Sequence, residues 1–126
     1  MGDYVFVYGT LKRGFGNHVV MRDARGEFSD VAEIKGAKMY SYHGAFPFIT
    51  FTSNEEDVVY GELYYLPPSR VDEGMEILDM LEGYPNFYNR KRVEVAGKSA
   101  WVYFMDREDD RFYEIPSGRW GDQHER

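Results

Sequence analysis

Glu82 is the residue in this sequence whose position best suits proton transfer. On a helix predicted from about Arg70 to Glu82, three apolar residues (Val71, Met75 and Leu78) fall within about 40° of Glu82 on the helical wheel. The carboxylate therefore shares the core-facing stripe, in the last turn, where the helix dipole disfavours negative charge. Burial and the dipole both raise the pKa of a carboxyl group, which suits proton shuttling near neutral pH.

A purely structural role fits the same position. A glutamate at a helix end is also typical of a solvated carboxylate or of an ion pair, here with Arg90 or Arg92. Asp79 is expected on a solvated flank of the helix, and Arg90 either binds substrate, orients Glu82 or is a strand-end cation. The helix pattern leaves these alternatives open, so a second feature is needed.

A glycine-rich loop follows the first predicted strand, at residues 8–17. Its three glycines permit unusual backbone conformations, and successive N–H groups in such a turn form a concavity for an anion, beside the charges of Lys12 and Arg13. The spacing matches neither a Walker loop nor a dinucleotide-binding fingerprint. The composition favours a site for a small anion such as a carboxylate, although a plain strand-to-helix turn is an equal alternative.

These residues must be positioned by a scaffold of short strands. The run at residues 4–8 is apolar on both faces, as in a buried central strand. Further strands are predicted at Phe28–Lys35, Ala37–Tyr42, Phe46–Phe51, Val58–Leu66, Arg90–Val95 and Ser99–Met105. This count favours an α+β fold, a small, mostly antiparallel β-barrel with two flanking helices.

Two helices flank the predicted strands. One begins after Asn17, a good N-cap residue, and carries His18 on its exposed side. The other follows a predicted capping box formed by Ser69 and Asp72, and ends at Gly83.

The composition excludes several classes of protein. The chain has 126 residues, 43% of them hydrophobic, which fits one domain over residues 1–126 with its own core. A net charge of −7 disfavours nucleic-acid binding, and the lack of cysteine excludes thiol catalysis and disulfides. Three scattered histidines show no metal-ligand spacing, and no apolar run is long enough to span a membrane. We expect a cytoplasmic, metal-independent domain, in which the acidic run at residues 108–110 is a solvated loop.

Several short motifs occur in the order known from one family. The segment Val7–Leu11 resembles the Y-G-[ST]-L signature of the gamma-glutamylcyclotransferase-like family, and Leu78–Tyr84 with Tyr88–Arg90 resembles its second signature, which contains the catalytic acid. Further matches are Gly61–Tyr64, Trp101–Tyr103 and Ser117–Trp120, the last with arginine in place of the aspartate of S-G-D-W. The resemblance extends from about Tyr4 to Trp120.

Within that family the glycine loop is most similar to the gamma-glutamylamine cyclotransferase branch. That branch carries Y-G-T-L-K-R-G-x-x-N-H, which residues 8–18 match. It also has a cysteine after the catalytic acid, where this chain has Gly83-Tyr84. The resemblance therefore leaves the branch and the leaving amine open. The part that receives the amine depends on loops such as Gly44–Pro47 and Arg107–Trp120, and Phe46-Pro47-Phe48 is either a pocket rim or an edge strand.

The resemblance implies an intramolecular acyl transfer without metal or cofactor. The α-amino group of a gamma-glutamyl compound attacks its own γ-carbonyl, which yields 5-oxoproline and a free amine. Glu82 would be the general acid and base, and the main chain of Tyr8, Gly9, Thr10 and Leu11 would bind the substrate. By position, Tyr88 or Tyr103 would supply a hydroxyl to the site, although each is equally well explained as a core aromatic.

Two other functions stay open on the same scaffold. One is a binding module for a small carboxylate without catalysis, because a fold does not establish an activity. The other is an interaction domain that uses exposed aromatic residues. The sequence does not indicate an oligomeric state.

Overall fold

The computed structural model describes residues 2–106 and 112–121; the acidic run at 108–110 lies outside the described residues. The elements follow the order β1 (Asp3–Val7), α1 (His18–Asp23), β2 (Glu27–Lys35), β3 (Ala37–Tyr42), β4 (Phe46–Phe51), β5 (Val58–Leu66), α2 (Val71–Glu82), β6 (Asn89–Val95), β7 (Lys98–Phe104) and β8 (Tyr113–Ile115). A short 3₁₀ turn, Pro68–Arg70, precedes α2. Each strand predicted from the sequence is present, within two residues at either end. The three-residue β8 was not predicted, because it is too short to show an alternating pattern.

The larger sheet has the strand order β2-β5-β1-β7-β6. Its centre is β1, which pairs antiparallel with β5 and parallel with β7. Val5, Phe6 and Val7 are almost fully buried, because both faces of this strand are covered. The prediction of a buried central first strand is confirmed. The chain leaves β1 directly into the glycine-rich loop, so the loop starts from a rigid position.

A second sheet has the order β4-β3-β8 and meets the first at one corner. There the N–H of Met105, just after β7, donates to the carbonyl of Ile49 at 3.0 Å, and the Thr50 hydroxyl donates to the Met105 carbonyl at 2.7 Å. The α+β class is confirmed. The barrel description is loose: β2 and β6 come within 8 Å of each other, but no ladder joins them in the described residues. The sheet curls without closing.

Both predicted helices are present and begin within one residue of the predicted position, but neither has the predicted side-chain cap. Asn17 makes no side-chain cap; its amide instead donates to the hydroxyl of Thr10 at 2.9 Å. The capping box at Ser69 is also absent, and α2 begins after Arg70 without a side-chain cap. The Asn17 side chain, which the local pattern assigned to the helix cap, forms a hydrogen bond within the loop instead.

The late Ser-Gly-Arg-Trp segment has a structural function. Gly118 adopts a φ of +70°, and a Cβ at this position would collide with the carbonyl oxygen of Val58 on β5. Its own carbonyl accepts the N–H of Tyr60 at 2.8 Å. The segment therefore lies against β5 so closely that only glycine fits.

We expect Gly118→Ala to lower the free energy of unfolding by about 3 kcal/mol or more, because it adds both backbone strain and a collision with main chain. Gly97→Ala is the matched control: Gly97 also has a positive φ, of +77°, but open space surrounds it, so about 1 kcal/mol is expected. Urea unfolding of both variants measures the difference. Equal losses would contradict the close approach at Gly118.

Candidate active site

The end of α2 places Glu82 at the edge of the core. Met75 and Leu78 of the predicted apolar stripe are buried, and the helix stops at Gly83, whose φ of +69° is the left-handed conformation that glycine favours. Glu82 itself is half-buried and lines a cavity. Burial of its carboxyl group raises the pKa of Glu82 to about 7.

The cavity has a volume of about 180 Å³. Its wall is built from the loop after β1, the start of β4, the last turn of α2, the segment before β6 and the end of β7. The lining residues are Phe6, Val7, Tyr8, Gly9, Thr10, Leu11, Asn17, Ala45, Phe46, Pro47, Leu81, Glu82, Phe87, Tyr88 and Tyr103. This set contains the predicted acid Glu82 and all six predicted substrate-binding residues, Tyr8, Gly9, Thr10, Leu11, Tyr88 and Tyr103. The cations considered for substrate binding, Lys12, Arg13 and Arg90, are not in it.

The first part of the glycine-rich loop, residues 9–11, uses its carbonyl groups in hydrogen bonds within the protein. The Gly9 carbonyl accepts the N–H of Lys12, and the Thr10 carbonyl accepts the N–H of Asn17. The Leu11 carbonyl accepts a hydrogen bond from the ring nitrogen Nδ1 of His18. In the described part of the chain, no hydrogen bond donated by the N–H groups of residues 9–11 is found. These donors are available to an anion or to a developing oxyanion.

Close packing holds the loop in this position. A Cβ on Gly9 would lie 2.6 Å from the ring of Pro47, so glycine is required for β4 to approach. His18, expected on the exposed side of its helix, is instead partly buried, with Nδ1 2.9 Å from the Leu11 carbonyl. The helix start therefore anchors the loop.

A buried carboxylate on β5 also fixes the loop. Glu62 accepts the main-chain N–H of Arg13 at 3.0 Å, the Arg13 guanidinium at 3.2 Å and the Tyr64 hydroxyl at 2.8 Å. Burial acts to raise the pKa of Glu62, but these hydrogen bonds outweigh it and hold the pKa below its usual value. Glu62 is thus a structural anion, and Arg13 is committed to it rather than to the cavity.

Three tyrosines line the cavity, and each donates its hydroxyl proton in a hydrogen bond to another group of the protein. Tyr8 donates to the Tyr103 carbonyl at 2.7 Å, Tyr88 to the Pro47 carbonyl at 2.5 Å, and Tyr103 to the carboxylate of Asp79 at 2.7 Å. Burial first, and then negative charge nearby, raise the pKa of each phenol. Their hydroxyls stay protonated and position the wall of the cavity.

The arginines considered as partners of Glu82 pair elsewhere. Arg90 Nε lies 2.9 Å from Asp79 Oδ1, and its guanidinium lies between the rings of Tyr84 and Trp101; Arg92 pairs with Asp3. Asp79 is therefore not the solvated helix flank that the sequence predicted. No salt bridge to Glu82 is found among residues 2–106 and 112–121. Its burial is uncompensated, which is the reason for the raised pKa.

The sequence did not assign Asn17, Leu81 or Phe87 to the site. Phe87 belongs to an irregular segment whose course depends on the left-handed residue Gly83, so no periodicity indicated it. Of the two loops expected to shape the amine side, Ala45, Phe46 and Pro47 of the first line the cavity. The described residues 112–120 of the second do not. The motif Phe46-Pro47-Phe48 was predicted to be either a pocket rim or an edge strand. Both hold for Pro47, which lies on the edge strand β4 and lines the cavity.

Comparison with known proteins decides the family. The model of the family described as gamma-glutamyl cyclotransferase, AIG2-like, matches residues 5–122. The chain belongs to this family. A relative from Methanocaldococcus jannaschii is 35% identical over 109 residues, which cover 81% of this chain and 83% of that protein. The gamma-glutamylcyclotransferase family protein YtfP of Escherichia coli is 32% identical over 124 residues, covering 94% of this chain and 96% of its own.

Solved structures agree with membership of the cyclotransferase family. The solution structure of Escherichia coli YtfP superposes with a TM-score of 0.69 at 26% identity, over 96% of this chain and 98% of that one. An AIG2-like protein from Mus musculus gives a TM-score of 0.68 at 27% identity, over 87% and 81%. A Pyrococcus horikoshii protein with a TM-score of 0.76 is 20% identical and covers 97% and 92%; it shares the fold.

None of the helices in the described part of the chain is long and apolar enough to cross a membrane. Residues 2–106 and 112–121 also contain no group of three or more histidine, aspartate or glutamate side chains placed to hold a metal ion.

The unpaired carboxyl of Glu82 has a measurable effect on stability. Its folded-state pKa of about 7 lies above the value of 4.5 for a free glutamate, so the folded state retains a proton that the unfolded state has lost. Stability conferred by this group is complete below pH 4.5 and falls as the pH rises to 7. We expect Glu82→Gln to be more stable than the parent at pH 8, by about 3 kcal/mol, and equal to it at pH 4.

Chemical denaturation at both pH values measures this difference. Glu76→Gln, on the exposed side of the same helix, is the control and should change neither value. A Glu82→Gln variant that is less stable than the parent at pH 8 would show that the carboxylate has a stabilising partner.

Proposed function

We propose that this protein is a gamma-glutamyl cyclotransferase that releases 5-oxoproline and a free amine from a gamma-glutamyl amine or amino acid. The observation that carries the proposal is that the Glu82 carboxyl lines the same cavity as the amides of residues 9–11, and that within the described part of the chain the carboxyl has no cation and these amides have no acceptor. A proton carrier and a site for negative charge then face one small substrate. Membership of the cyclotransferase family supports the same conclusion.

The reaction needs one proton removed and one supplied. The α-amino group, which has lost its ammonium proton to solvent, attacks the γ-carbonyl of the same molecule to form the C–N bond of the five-membered lactam, and the Glu82 carboxylate takes a proton from this attacking nitrogen. The protonated Glu82 then donates to the amide nitrogen as its C–N bond breaks. A pKa of about 7 lets one group perform both transfers near neutral pH.

The loop and the tyrosines would bind and orient the substrate. The N–H groups of Gly9, Thr10 and Leu11 bind the α-carboxylate or stabilise the negative charge that develops on the carbonyl oxygen. Tyr8, Tyr88 and Tyr103, which line the same cavity, contact the gamma-glutamyl group. Because the nucleophile and the carbonyl belong to one molecule, holding it in a curled conformation supplies much of the rate, with effective molarities of about 10⁵ M or more.

We expect Glu82→Gln to lower kcat/KM for 5-oxoproline release by about 10²-fold or more, because the amide cannot carry the proton. In the parent, kcat/KM should fall as the pH drops through about 7, since the base must be ionised. The assay uses a panel of gamma-glutamyl compounds, including gamma-glutamyl-ε-lysine and gamma-glutamyl dipeptides, with the product identified by mass spectrometry.

Glu76→Gln on the exposed face of α2 should retain the activity of the parent. Activity that survives Glu82→Gln unchanged would reject the assigned role. Calorimetric binding of a gamma-glutamyl compound without turnover of any member of the panel would instead identify a binding module.

A further inference from the structure

The cavity has a polar floor and an apolar mouth. Tyr8, Tyr88 and Tyr103 are at most 6% exposed and form the floor. Phe87 and Leu81 are 42% and 37% exposed, although both line the cavity, so they form its mouth. A ligand that fills the cavity covers this exposed apolar surface, which favours an apolar group at the mouth.

The mouth is built by rings packed on one another. The Phe46 ring stacks on Tyr42 at 4.9 Å between centroids, and the Phe87 ring meets Phe46 edge-to-face at 5.8 Å. Phe87 is also fixed by its main chain, because its N–H donates to the Gly83 carbonyl at 2.7 Å. A Cβ on Gly83 would lie 3.0 Å from the Cβ of Phe87, so the turn closes tightly against this residue. The aromatic wall is therefore held in place before a ligand arrives.

The charges of the described residues that line the cavity disfavour a second carboxylate on the ligand. The described residues that line the cavity include no lysine or arginine, and Glu82 is an acid. The arginines discussed above, Arg13 and Arg90, are committed to Glu62 and Asp79. The faces of aromatic rings are themselves negative, so an anionic group at the mouth would be repelled by the rings and by Glu82.

We propose that the mouth binds the leaving amine, that this amine carries an aryl or alkyl group and no carboxylate, and that Phe87 determines this specificity. The inference rests on the proposed function: with the gamma-glutamyl group beside Glu82 and the glycine-rich loop, the substituent on the amide nitrogen extends toward Phe46, Leu81 and Phe87. A gamma-glutamyl arylalkylamine is then a better substrate than the corresponding gamma-glutamyl amino acid.

A matched pair of compounds tests the substrate class. The phenethylamide of the gamma-glutamyl group and gamma-glutamylphenylalanine differ only in the carboxylate of the leaving amine. We expect kcat/KM for the phenethylamide to be at least about tenfold higher. The gamma-glutamyl methylamide has no group that reaches the mouth, so its turnover measures the reaction without that contact. Equal or faster turnover of gamma-glutamylphenylalanine overturns the inference, as does a preference for an amide whose alkyl chain ends in a second ammonium group.

A pair of variants tests the residue. Phe87→Ala should raise KM for the phenethylamide by about tenfold with little change in kcat, because the contact is made equally in the bound substrate and in the transition state. It should leave the methylamide unaffected, and Phe87→Leu should restore most of the loss. Met80→Ala, on the 79% exposed position of α2 outside the cavity, is the control and should change neither substrate. An equal loss on both amides for Phe87→Ala would show a structural role and overturn the assignment.

The two proposals fail in different ways. If none of these compounds yields 5-oxoproline, the proposed function fails and the inference fails with it. If 5-oxoproline is released and the acid-bearing compound is preferred, the reaction stands and the inference about the amine alone is overturned.

Discussion

The candidate site depends on the burial of one carboxyl group, that of Glu82, which has no cationic partner among residues 2–106 and 112–121. Glu82 enters the cavity wall because α2 must direct Met75 and Leu78 into the core, and the wheel carries Glu82 along the same face. The nearby cation Arg90 is held by Asp79 and by the rings of Tyr84 and Trp101. Since no ion pair among residues 2–106 and 112–121 offsets the desolvation, burial raises the pKa of Glu82 to about 7, the value that the proposed acid–base role requires.

Two glutamates show how the surroundings of a side chain shift its pKa in opposite directions. Glu62 accepts hydrogen bonds from Arg13 and Tyr64, stays ionised and fixes the glycine-rich loop to β5. Glu82 lacks such partners in the described structure and retains its proton to a higher pH. The first fixes the loop that carries the amides of residues 9–11, and the second lines the same cavity as these residues. The surroundings of each carboxyl group therefore decide its protonation state.

The fold meets these requirements by joining distant parts of the chain at one corner. The glycine-rich loop leaves the buried end of β1, Pro47 of the edge strand β4 packs on Gly9, and Tyr103 arrives at the end of β7. The hydroxyl of Tyr88 closes the arrangement through the Pro47 carbonyl. Each contact is between segments far apart in sequence, and the rigidity of the central strand keeps the loop in register with the helix end.

Local sequence pattern determines much of the secondary structure of this protein. Alternating and continuous apolar runs located seven strands, the apolar stripe of α2 placed Glu82 toward the core, and Gly83 marked the helix end, because each depends on periodicity or on backbone conformation within a few residues. The ordered motifs of the loop and of α2 identified the family. Tertiary structure alone decided that Arg90 pairs with Asp79, that Asn17 binds Thr10 instead of capping its helix, and that Phe87 forms the mouth. Partner choice among polar groups and the position of an irregular turn depend on long-range packing, which local pattern does not encode.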